Sequence, residues 1–97
     1  MNKMAFRMAD SAYHMEIPHY MYGAIERYIN HGISPGGFLS AVISNNLRNA
    51  VAVADATNIR LLKEYVGFLS MDAPSMCWGT EEKFIAWTKM GGLNGIR

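Results

Sequence analysis

Pro18-His19-Tyr20-Met21-Tyr22-Gly23-Ala24-Ile25-Glu26-Arg27-Tyr28-Ile29-Asn30-His31-Gly32-Ile33-Ser34-Pro35 is the stretch that decides the fold. Its apolar residues fall at Met21, Ala24, Ile25, Tyr28 and Ile29, the i, i+3, i+4, i+7, i+8 stripe of a helix that buries one face. Pro18 suits the opening turn, where its missing N–H would have no partner anyway. Gly32 can take the left-handed conformation that ends a helix. Ser34-Pro35 then announces the next one, with Ser34 as N-cap and Pro35 at the first helical position. These signals predict a helix over 18–31 and the start of another at 35.

Downstream, Phe38, Leu39, Val42, Ile43, Leu47, Ala50, Val51 and Ala54 form a stripe that drifts without breaking. It predicts one long helix over 35–54, with Asn45 and Asn46 as the place where it would bend or divide. Asp55 or Thr57 caps a third helix over 57–72, whose core stripe is Ile59, Leu62, Val66 and Leu69 with Tyr65 alongside. Arg60, Lys63, Glu64 and Gly67 then face outwards. The short connection between the second and third helices implies an antiparallel hairpin. Ala73-Pro74 stops the third helix, because a residue before proline avoids the helical region. Thr80 caps a last helix over 80–90, with Glu81 and Glu82 where the helix dipole favours acids. Phe84, Trp87 and Met90 pack inwards, and Gly91-Gly92 ends it. Upstream, residues 1–16 read as an arm or a weak helix: Met4, Met8 and Met15 share a face, but Asp10 and Ser11 interrupt it. The expected fold is all-α: a small antiparallel bundle of three to five helices in one domain over 1–97, its core spanning 18–93.

Composition narrows the function. At 97 residues the chain has a limited core, and its charged fraction is 18%. Both features favour self-association into a homo-oligomer. A net charge of +1 with scattered basic residues excludes the basic stripe that duplex nucleic acid requires. The one cysteine, Cys77, allows no internal disulfide, and no Cys/His spacing resembles a zinc site. Apolar runs fall short of the ~18 residues of a membrane span, and the first residues lack the apolar block of a signal peptide. A reducing compartment away from the membrane follows, and no metal or cofactor is implied.

A set of short segments carries a resemblance. They are Ile17-Pro18-His19-Tyr20-Met21, Arg27-Tyr28-Ile29 and Gly32-Ile33-Ser34-Pro35-Gly36-Gly37-Phe38-Leu39, followed by Asn45-Asn46-Leu47, Ala54-Asp55, Phe68-Leu69, Ala73-Pro74, Cys77-Trp78-Gly79-Thr80 and Trp87. Together, over residues 17–93, they resemble small proteins of tailed bacteriophages, the anti-CBASS sponges. CBASS is a bacterial defence in which a cyclase makes cyclic oligonucleotides that activate a cell-killing effector. The resemblance implies a small helical protein of the host cytoplasm that assembles into a hexamer. It implies sequestration of cyclic dinucleotides, or in some members trinucleotides, without cleavage, and therefore no enzymatic activity.

The candidate ligand residues come from chemistry alone. Ser34, Gly36, Gly37 and Ser40 surround an expected helix start, whose free N–H groups suit a phosphate. The segment lacks the lysine and spacing of a P-loop, and its ordinary reading is a cap after a tight turn. Tyr20, Gly23, Arg27 and His31 share one flank of the first helix. There a ring can stack on a base and a guanidinium can hold a phosphate; the plain alternative is a subunit contact or a solvated face. Arg27→Ala is accordingly expected to cost more affinity than Arg60→Ala. Tyr22 and Glu26, on the other flank, read as surface or interface residues. Asn45, Asn46 and Arg48 can read a base edge or a phosphate, or the asparagines can simply bend or cap a helix. Cys77-Trp78 reads as a core anchor before a stacking platform. No acid/base pair or nucleophile–base pair is visible. The rival from another class is a phage protein that inhibits a host protein through an exposed helical face.

Overall fold

The computed structural model describes residues 5–96. Met4, part of the expected methionine face of the arm, lies outside them, as do residues 1–3 and Arg97. The described residues contain six α-helices and no strand: α1 Tyr22–His31, α2 Gly37–Ile43, α3 Leu47–Val53, α4 Ala56–Arg60, α5 Leu62–Met71 and α6 Glu81–Met90. Single 3-10 turns lie at Met8–Asp10, His19–Met21, Ser75–Cys77 and Leu93–Gly95.

The first expected helix forms as its stripe requires. Pro18 is extended and hands over to the His19–Met21 turn, which runs directly into α1. Ile25, Tyr28 and Ile29 are buried, with Met21 and Ala24 packed against them. Gly32 closes α1 at φ 68 while Ile33 N–H donates to Arg27 O at 3.3 Å, the paired closure that left-handed glycine permits. A second constraint acts on the same glycine: a Cβ there would stand 2.7 Å from Trp87 O. The end of α1 and the end of α6 meet backbone to backbone.

The long helix expected over 35–54 is divided. Asn45 takes the left-handed conformation at φ 62, and Asn46 then caps α3 by accepting from Asn49 N–H at 3.1 Å. Asparagine tolerates this conformation better than other residues with a side chain. The start of the helix also moves. Gly36, not Ser34, occupies the N-cap of α2, and Pro35 precedes it instead of opening it.

The third expected helix is interrupted at Leu61, and its cap is Asp55, whose carboxylate accepts from Asn58 N–H at 2.7 Å. The interruption rotates the buried face. Tyr65, Phe68 and Leu69 are buried with Leu61 and Leu62 beside them, whereas Ile59 and Val66 are 40% exposed. Gly67 does not face outwards either: the Tyr13 ring lies against it, and a Cβ would meet Tyr13 Oη at 2.6 Å.

Residues 6–17 form an arm fastened along α1 and the end of α5. Asn30 accepts from Phe6 N–H at 2.6 Å and donates to Phe6 O at 2.9 Å. Glu26 accepts from Met8 N–H at 2.8 Å, and Tyr22 donates its phenol proton to His14 O. Asp72 accepts from Ser11 Oγ at 2.6 Å and from Ala12 N–H at 3.2 Å. The flank of α1 expected at the surface is therefore covered by the chain's own arm. Met8 and Ile17, both fully buried, add about 1.5–3 kcal/mol each through apolar surface removed from water.

The remaining core closes around Trp87, which donates from Nε1 to Tyr28 O at 3.0 Å. Tyr28 stacks on Phe84 at 5.5 Å and donates its phenol proton to Cys77 O at 2.6 Å. Among the described residues no buried side-chain nitrogen or oxygen lacks a partner.

Candidate functional site

Two turns meet to shape an open groove. The backbone reverses at Ser44–Asn46 between α2 and α3, and Gly79 N–H donates to Ile43 O at 2.8 Å, pinning the corner before α6 to the end of α2. Thr80 then caps α6 through Lys83 N–H at 3.0 Å, which sets Glu81 at a fixed place in the first turn. Between these elements lies a polar groove of ≈ 620 Å³, within the ordinary range for small-ligand sites.

Gly37, Ser40, Asn45, Asn46 and Arg48, five residues singled out from the sequence, all line this groove. Ala41, Ser44, Leu47, Asn49 and Glu81 line it as well. Among the described lining residues Arg48 is the one cation and Glu81 the one carboxylate, so the groove is close to neutral. Two groups are partly committed. Ser40 donates its hydroxyl proton to Pro35 O at 2.9 Å, which leaves lone pairs but no proton for a ligand. The Asn46 oxygen is taken by the α3 cap, which leaves its amide N–H groups free to donate.

Gly37 and its neighbour Gly36 are exposed, and a Cβ on either would meet nothing within 4 Å. Neither has a positive φ. Glycine is therefore needed at neither position for folding, and the bare backbone at the mouth of the groove is accessible. At seven residues α2 is under two turns long, so its dipole adds little for an anion.

The other sequence-picked residues lie elsewhere. Tyr20 stands in the 3-10 turn before α1 and is 67% exposed. Burial pushes the Tyr65 phenol up, and Tyr20 and Asp55 add to it. The space over Gly23 is filled by the Arg27 guanidinium, with Nη1 2.9 Å from where a Cβ would stand. His31 Nδ1 pairs with the Asn94 side-chain amide at 3.2 Å. Ser34 is exposed and makes only a long 3.4 Å contact to Pro35 O. The α1 flank and the groove are thus separate places, and Ser34 and Gly36 sit at the turn leading into the groove.

Another space is far smaller. The apolar gap beneath Pro35, bounded by Tyr28, Leu39 and Tyr65, measures ≈ 10 Å³, barely the room one water needs. Cys77 is buried and its thiol is pushed up to about 12, mainly by burial, so it is no nucleophile near neutral pH. No group of three His, Cys, Asp or Glu residues able to hold a metal ion occurs among the described residues, and none of their helices is long and apolar enough to cross a membrane.

Sequence reasoning missed Glu81 and Asn49 as groove residues. Glu81 was explained as a helix-dipole acid, and Asn49 carries no pattern of its own. Comparison of the chain with protein-family models, with curated proteins and with solved structures finds no match.

Proposed function

We propose that the chain is a non-catalytic phage anti-defence protein that sequesters cyclic oligonucleotides in the groove between α2, α3 and α6. One observation carries the reading: the groove gathers Gly37, Ser40, Asn45, Asn46 and Arg48, residue types whose backbone, hydroxyl, amide and guanidinium groups suit a nucleotide. Arg48 takes a phosphate through charge-assisted hydrogen bonds. The asparagine amides take base edges, which present paired donors and acceptors. The bare backbone at Gly37 admits the sugar-phosphate ring.

A cyclic dinucleotide is a dianion, and one arginine beside one glutamate offsets little of that charge. The reading therefore includes a homo-oligomer, a hexamer as the sequence resemblance implies, in which antiparallel helices of neighbouring copies complete the site. Leu47 and Val51, 63% and 50% exposed and one turn apart on α3, support an interface there. The place of action is the host cytoplasm, where the messengers are made.

The same exposed face favours a second reading, direct inhibition of a host protein by docking on α3. Calorimetric titration separates the two. The sponge reading expects saturable binding of cyclic di- or trinucleotides with no cleavage, weakened about tenfold by Arg48→Ala. Absence of binding to every such ligand overturns it in favour of protein docking.

A further inference from the structure

We propose that Glu81 makes the groove a reader of guanine. This rests on the groove being the cyclic oligonucleotide site. The α6 N-terminus does not account for Glu81 by itself, because Glu82 stands in the same first turn and serves the helix dipole as well. Glu81 differs from Glu82 in lining the groove. It is held there by the Thr80 cap and by the bond that ties Gly79 to Ile43.

An ionised carboxylate accepts hydrogen bonds and donates none. Ser40, on the same groove, has already given its proton to Pro35 O and offers only lone pairs. These acceptors call for a ligand edge with adjacent donors. Guanine has one, N1–H beside N2–H₂, spaced for the two oxygens of a carboxylate. Adenine sets its N6–H₂ beside the lone pair of N1, and cytosine sets N4–H₂ beside the lone pair of N3. Uracil places its N3–H between two carbonyls. Each of these three brings an acceptor against Glu81, which repels it. Arg48, the cation of the groove, is left to the phosphate. Glu81 thus acts as a specificity-determining residue, reading one base while the other groups hold the ring.

The test is calorimetric titration of cyclic di-GMP, cyclic GMP–AMP, cyclic di-AMP and a cyclic tri-adenylate against the full chain and its Glu81→Gln variant. Circular dichroism checks the fold of both. Cyclic di-GMP should bind about tenfold tighter than cyclic di-AMP, the scale of one good bidentate base contact. Glutamine presents one acceptor beside one donor, the pattern adenine complements, so Glu81→Gln should close that gap by weakening the guanine ligands while cyclic di-AMP holds its affinity or tightens. Equal affinities in the parent chain, or a gap that survives Glu81→Gln, overturns the guanine assignment and leaves the sponge reading standing. Binding of none of the four ligands overturns the sponge reading, and the guanine assignment with it.

Discussion

Asn45 and Asn46 do two different jobs side by side, and each can be tested alone. Asn45 holds φ 62, so Asn45→Ala should cost about 1 kcal/mol from left-handed strain, whereas Asn45→Gly should leave stability unchanged or raised. Asn46→Ala removes the α3 cap and should also cost about 1 kcal/mol. Urea midpoints at constant slope check all three. Gly37 gives a sharper separation of folding from function. A Cβ there meets nothing, so Gly37→Ala should stabilise by a few tenths of a kcal/mol up to about 1. If the ligand lies over that backbone, the same change should weaken binding, and a thermal melt beside a titration reads both effects. The asparagine pair was legible in the sequence because its left-handed tolerance is intrinsic. Glu81 was not, because a helix-dipole acid and a ligand-facing acid look alike until the α2–α3 turn is placed beside it. Spacing along a helix likewise does not reveal that the Arg27 guanidinium folds back over its own Gly23. Arg48→Ala should accordingly lose more affinity than Arg27→Ala.

At the scale of elements, the arm is the part that periodicity could not show. It is held by Glu26, Asn30 and Asp72 accepting from backbone N–H groups or a hydroxyl, and such bonds leave no repeat in the sequence. Asp72→Ala removes two of these contacts and should cost about 1–2 kcal/mol. Amide hydrogen exchange should show the loss concentrated in residues 11–13, with α6 protected as before; uniform loss across the helices would mean that the arm is not a separate fastening. The helices themselves divide along similar lines. α1 and α6 were readable because stripe and closing glycine agree at each, and at α6 the Thr80 cap agrees with them. The break at Leu61 was not, because Ile59 and Leu62 keep helical spacing across it. Only the packing of Tyr65, Phe68 and Leu69 shows which face turned inward.

For the whole molecule, burial sets the response to alkali. The Cys77 thiol is raised from an ordinary 9.0 to about 12, and the Tyr28 and Tyr65 phenols are raised in the same direction, all mainly by burial. A raised folded pKa means that the unfolded chain releases its proton first. Stability from these groups is full below pH 9 and falls as pH climbs towards 12. Denaturation curves between those limits should show this decline, and Cys77→Ala, corrected for its lost packing, should flatten its early part. Assembly belongs to the same scale. With a radius of gyration of 12.6 Å, one chain is a compact globule that offers its groove on an open surface, and Leu47, which lines the groove, forms an exposed apolar patch with Val51 one turn on. Leu47→Lys should leave helicity intact and reduce the mass seen by light scattering. The central claim is capture without chemistry. It is tested most directly by incubating the full chain with cyclic di- and trinucleotides, removing free ligand, heating the protein and identifying what is released by mass spectrometry. The account predicts intact cyclic nucleotide in fixed ratio to protein. Linear or cleaved product, or nothing released at all, would contradict it.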